Sequence, residues 1–138
     1  MPKYWLLKTE PSTYSYPDLE RDGETVWDGV TNALALKHLR SMAKGDRAFI
    51  YHTGDEKQIV GIARVVSDPY SNPKGNDPKL VVVDLKPQER LQQAVTLAEI
   101  KARTEFAGFD LVRIGRLSVM PVNEAHWRRL CDMARGAV

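Results

Sequence analysis

The chain alternates short apolar runs with polar turns, and the runs sort by their period. Tyr4-Trp5-Leu6-Leu7-Lys8 is brief, aromatic-rich and followed by Pro11, which predicts a buried first strand over 4–8. Ser15 as N-cap, with Pro17 in the first turn, predicts a helical turn over 15–19. Asp22-Gly23 and Asp28-Gly29 are turn signals. After Asn32, residues Ala35, Leu36, Leu39, Met42 and Ala43 recur at helical spacing. That predicts a helix running to about Met42, with Gly45 as its C-cap.

Residues 47–53 and 59–67 read as strands, Gly61 marking a bulge or a close approach in the second. Residues 68–79 hold three prolines, one glycine and two asparagines, and read as a surface loop. A near-continuous apolar strand covers 80–85. Thr96 and Glu99 have capping-box spacing and predict a short helix over 96–101. A last strand covers 117–119, and Asn123 caps a closing helix with Trp127, Leu130, Cys131 and Ala134 on one face. The strands are too short and closely spaced for repeated strand-helix-strand units. The pattern predicts an α+β fold, a small, mostly antiparallel curved sheet or β-barrel flanked by short helices, with 1–138 as a single domain.

Composition narrows the function classes. The 138 residues are 43% hydrophobic and 28% charged, ordinary for a globular protein. The net charge of +2 suits an anionic partner, but binding held mainly by phosphate neutralisation usually carries a stronger basic bias. Cys131 is the lone cysteine, so an internal disulfide is impossible and a reducing compartment is favoured. No apolar run approaches the roughly 20 residues of a membrane helix, and the opening run is too short for a signal-peptide core. The expectation is a cytoplasmic protein with no membrane partner.

Several chemistries find no support. No two glycines lie two positions apart, so the dinucleotide fingerprint is absent, and there is no Walker loop. His38, His52 and His126 lack paired ligands, and neither Cys-x-x-Cys nor His-x-x-x-His occurs. No metal and no cofactor is expected. Ser118 lacks the glycines of a nucleophile elbow, and Cys131 sits on an apolar helix face as a packed thiol.

What remains is a set of polar and aromatic side chains beside strands and turns. Trp27 is either a core tryptophan under a loop or a stacking plate for a base. Asn32 is either a helix cap or a base-edge reader, and the roles are compatible. Lys8 and Glu10 share a face with Leu6, while Thr9 follows Trp5 and Leu7. They read as a solvated strand end or as a rim where Thr9 meets a ligand, Lys8 faces a phosphate or carbonyl, and Glu10 accepts from an amine. His52 shares the face of Ile50 and Ala48, and a lone histidine there is usually a satisfied core or rim residue. Arg116 and Ser118 share one face of the last strand, Arg116 as a phosphate contact or an ordinary ion pair. Lys37 and Arg40 lie on a helix whose basic residues usually mean a solvated face.

The motifs resemble a known family. Tyr4-Trp5-Leu6-Leu7-Lys8-Thr9-Glu10-Pro11, Trp27-Asp28-Gly29-Val30-Thr31-Asn32, Lys44-Gly45-Asp46 with Tyr51-His52-Thr53-Gly54, Val60-Gly61-Ile62-Ala63 and Arg116-Leu117-Ser118-Val119-Met120-Pro121-Val122 follow one another as in the EVE domain of the PUA-like superfamily. The resemblance implies a five- or six-stranded barrel with a pocket at its mouth. It further implies that the pocket receives a flipped modified nucleobase, as in YTH and SRA-type relatives. Carried over residue by residue, it assigns the ligand to Lys8, Thr9, Glu10, Trp27, Asn32, His52 and Ser118, with Arg116, Lys37 and Arg40 toward the nucleic-acid backbone. Thr9 stands where serine is usual. Thr31 stands where the family commonly has arginine, and Ala33-Leu34-Ala35-Leu36 replaces a more polar stretch. Nuclear members carry basic extensions ahead of the domain, and the absence of one here reads as a bare or prokaryotic domain.

The implied function is non-enzymatic binding of a modified base, such as 5-methyl- or 5-hydroxymethylcytosine, in DNA or RNA. Two alternatives stand beside it. One is a hydrolase of modified nucleosides of the ASCH type, built from Lys8, Thr9 and Glu10 with help from another segment. The other is a protein-interaction module of a modification or restriction system.

Overall fold

The computed structural model describes residues 2–75 and 77–136. Strand β1 (Tyr4–Thr9) lies next to one edge of the sheet, parallel to β3 (Arg47–His52) on one side and antiparallel to the edge strand β7 (Val119–Val122) on the other. From β3 the sheet continues antiparallel through β4 (Gln58–Val65) and β6 (Val81–Thr96) to β2 (Thr25–Trp27). The order is β2-β6-β4-β3-β1-β7, and the two-residue β5 (Tyr70–Ser71) also pairs with β6. Of the described pairings only β1 with β3 is parallel, so the sheet is mixed but mostly antiparallel.

The sheet curls into a half-barrel. Extra residues in β6 shift its register against β4 beside Ile62 and again beside Gly61, and such bulges bend a strand and increase its twist. Helix α2 (Ala33–Arg40) packs on both β6 and β7, and so covers the gap between the two ends of the sheet. Helix α1 (Tyr16–Asp22) closes the same side above β4, where the Tyr16 hydroxyl donates to the Ile62 carbonyl at 2.7 Å. The opposite face of β1 and β3 is covered by α5 (Glu124–Ala134), whose Trp127 stacks on Phe49 at 3.9 Å and Tyr4 at 4.5 Å. With both faces covered, Leu6, Leu7, Phe49 and Ile50 are all buried.

Buried Asp46 ties this core to the chain entry. Its carboxylate accepts from the Trp5 indole at 2.9 Å, the Lys3 amide at 2.9 Å and the Ala43 amide at 3.0 Å. A buried carboxylate is tolerated when donors surround it in this way.

Some boundaries differ from the sequence reading. Helix α2 stops at Arg40 with Ser41 as its C-cap, and Gly45 belongs instead to the turn before β3, although Met42 still enters the core. The 80–85 strand is only the first part of β6. The following stretch is polar and carries Pro87, and it stays extended because β4 pairs with it. Strand β7 begins at Val119, so Arg116 and Ser118 precede the strand and do not share one of its faces. The reason is the ladder to β1, which starts at Leu7 opposite Val119. Strand β5 lies inside the expected 68–79 loop. Strand β2, the 3-10 turn Thr104–Phe106 and α4 (Asp110–Arg113) are too short to show a period. Helix α3 (Leu97–Lys101) follows its Thr96 cap as expected.

Candidate functional site

Strands β1 and β3 end side by side, pairing Lys8 with Tyr51 and Thr9 with His52. Alternation sends the first pair to one face of the sheet and the second to the other.

On the second face, Thr9 Oγ1 donates to the Tyr14 carbonyl at 2.7 Å. The chain doubles back there because the Thr13 and Tyr14 amides both donate to the Glu10 carbonyl at 2.9 Å. This turn sets Tyr14 edge-on to Trp27, with ring centroids 6.4 Å apart and planes at 79°. Thr9, Thr13, Tyr14, Trp27 and Gly29 line a cavity of about 330 Å³. That volume falls in the range of small-molecule sites, about 300–1,000 Å³. Trp27 is 7% exposed and held by the β2–β6 ladder opposite Val83, so it is a core residue that turns its remaining surface to the cavity. Half-buried Tyr14 donates its hydroxyl to Asp22 at 2.9 Å, and burial pushes its pKa up.

The other expected site residues scatter around this cavity. Asn32 caps α2, its Oδ1 accepting from the Ala35 amide at 3.0 Å, which leaves its amide NH2 exposed after the Trp27 turn. His52 is buried with both ring nitrogens engaged: Nε2 accepts from the Tyr16 amide at 3.0 Å, and Nδ1 donates to Glu56 at 2.9 Å. That bond holds the Glu56 carboxyl below the usual range. His52 therefore locks α1 to β3 and has no ring nitrogen left for a ligand. Glu10 accepts from Ser12 and from Thr53, against Gly54. A Cβ on Gly54 would stand 2.7 Å from that carboxylate, and its φ of 73° also favours glycine. Ser118 meets β1 through its carbonyl, which accepts from the Lys8 amide at 2.9 Å.

Lys8 points to the first face and donates to the Gly115 carbonyl at 2.7 Å, while burial lowers its pKa. Lys8, Thr9 and Glu10 thus reach three different sets of partners and do not converge as one Lys-Thr-Glu group. Arg116 is exposed beside Gly115. Lys37 is exposed on α2, and Arg40 is tied to the Lys79 carbonyl at 2.9 Å. Tyr14 escaped the sequence reading because a single tyrosine in a polar segment carries no signal until the turn folds it against Trp27. Among the described residues, no three His, Cys, Asp or Glu side chains come together as a metal site, and no helix is long and apolar enough to cross a membrane.

A mixed half-barrel with helices over its open side is the PUA-like architecture. ASCH from Zymomonas mobilis shares it at a TM-score of 0.61 and 10% identity over 95% of both chains, a likeness of fold alone. The sequence pattern of the EVE domain matches residues 3–133, and the chain belongs to that family. Rpa0253 from Rhodopseudomonas palustris is 40% identical, with a TM-score of 0.91 over 96% of this chain and 93% of that one. Human THYN1 protein, in complex with 5-methylcytosine containing DNA, superposes at 0.87 with 25% identity over 96% of this chain and 97% of that one. Thymocyte nuclear protein 1 of Mus musculus is 30% identical over 88% of this chain and 69% of its own length. Against the Homo sapiens protein the figures are 31%, 72% and 56%, so this chain spans little more than half of that relative.

Proposed function

We propose that this protein binds, without catalysis, a nucleobase modified at C5, of which 5-methylcytosine is the simplest, in DNA or RNA. The Thr9–Tyr14–Trp27 cavity carries the reading. It pairs two aromatic rings with a threonine at the sheet end, and its volume of about 330 Å³ is enough to admit a base. The human THYN1 complex with 5-methylcytosine containing DNA supports the choice of ligand. The divergence of Lys8, Thr9 and Glu10 supports binding over hydrolysis.

The energetics are modest and testable. Base–aromatic stacking contributes roughly 1–3 kcal/mol, against a few kcal/mol to extrude a base from a duplex. Burying the 5-methyl group adds about 0.8 kcal/mol, roughly a fourfold preference over cytosine. Asn32, through its exposed amide, reads the base edge, and Arg116 contacts the backbone. Trp27 is a core residue, so a large truncation there also costs stability. Half-buried Tyr14 is the cleaner probe. Tyr14→Ala should leave a folded protein that binds a 5-methylcytosine duplex roughly fivefold or more weakly, the lower end of the stacking range. Unchanged affinity and methyl preference in Tyr14→Ala and Trp27→Leu together would place the ligand elsewhere.

A further inference from the structure

The face of β1 opposite the Trp27 cavity carries a second hollow of about 210 Å³. Tyr51, Leu97, Leu111 and Val112 give it an apolar wall, and Lys8, Lys57 and Lys101 stand around it. Three elements deliver the cations: β1, the turn between β3 and β4, and the last turn of α3.

Among the described residues these lysines form no ion pair. Half-buried Lys8 lies 5.6 Å over the Tyr51 ring, and its ammonium donates to a neutral carbonyl, that of Gly115. Its lowered pKa follows from that burial. Glu10 reaches the rim at Thr53 and Gly54, where it accepts from Thr53 and Ser12. Lys57 is also the one described non-glycine residue with a positive φ, 48°, a conformation that a Cβ disfavours. The Leu97 amide, donating to the Lys57 carbonyl at 2.8 Å, holds that backbone in place at the cavity wall.

Three lysines around a hollow, none of them ion-paired among the described residues, suit a compact anion with several acceptor oxygens. We propose that this cavity binds a backbone phosphodiester of the nucleic acid whose base enters the Trp27 cavity, with Lys57 and Lys101 joining Lys8 as phosphate ligands. The assignment rests on the base-binding reading above. Lys8 and Thr9 are consecutive, their Cα atoms about 3.8 Å apart, so a strand whose base is held on one face passes over the end of β1 beside the other.

The test is a salt titration of the full chain with two duplexes differing only in one 5-methyl group. Lys57→Gln and Lys101→Gln, at exposed positions, should weaken binding to both duplexes alike. They should also flatten the dependence of log affinity on log salt by about 1 per lysine. An unchanged slope in the double variant would overturn the proposal, even if the methyl preference survives. If wild type ignores the methyl group while the slope still flattens, the base reading fails and the phosphate contact stands. Saturation of the Gly54 and Gly115 amide shifts by inorganic phosphate, with the slope unaltered, would mark a free-anion site and overturn the backbone assignment.

Discussion

At Gly61 a Cβ would stand 2.4 Å from the Tyr16 ring, and the Tyr16 hydroxyl bond to Ile62 prevents that ring from swinging away. Gly61→Ala should therefore cost about 1–3 kcal/mol in urea unfolding, as overpacking does. A loss below a few tenths would mean that the ring moves freely. The same burial pushes the Tyr16 pKa up to about 12 from 10.0. A raised folded value keeps the proton in the native state, so this stability is complete below pH 10 and is lost as pH rises toward 12. Tyr16→Phe should flatten the stability profile in that window, followed by thermal melts. An identical alkaline slope in both proteins would contradict it. Residue types were legible at this scale: Ser15, Asn32, Thr96 and Asn123 each cap the helix expected of them. A cap needs only a side-chain oxygen at a fixed local spacing, so sequence is enough to find it. The engagement of both His52 nitrogens depends on Tyr16, 36 positions away, and on Glu56, and no local pattern announces it.

Elements with a strong period were readable and short or polar ones were not. Strands β1 and β3 and helix α5 follow their apolar runs because both faces, or one full stripe, are buried. The second part of β6 hid its strand because much of it is exposed and its ladder to β4 is broken by bulges. The parallel pairing of β1 with β3 is a tertiary choice, set by the crossover through α1, β2 and α2. Helix α3 carries a prediction of its own. It has five residues and a complete capping box between Thr96 and Glu99, so its start depends on that box. Thr96→Ala should cost about 1 kcal/mol in chemical denaturation. A neutral result would show that packing of Ile100 alone holds the helix.

For the whole molecule, alternation along β1 is the organising fact. It sets an aromatic cavity on one face and a lysine-ringed hollow on the other, at the same end of the sheet. Sequence motifs marked Lys8, Thr9 and Trp27 but not which cavity each would line, since Tyr14, Lys57 and Lys101 arrive from separate segments. On the proposed reading, the first cavity takes the base and the second the phosphate. Apolar recognition of a methyl group is nearly blind to salt, whereas phosphate contacts weaken steeply with it.

The measurement that tests this most directly is the affinity ratio of wild-type protein for two duplexes, one carrying a single 5-methylcytosine and one unmodified, at low and at moderate salt. Burial of one methyl group should give a preference of roughly fourfold or more for the methylated duplex, with a ratio that holds as both affinities fall. Equal affinities at both salt concentrations would contradict it.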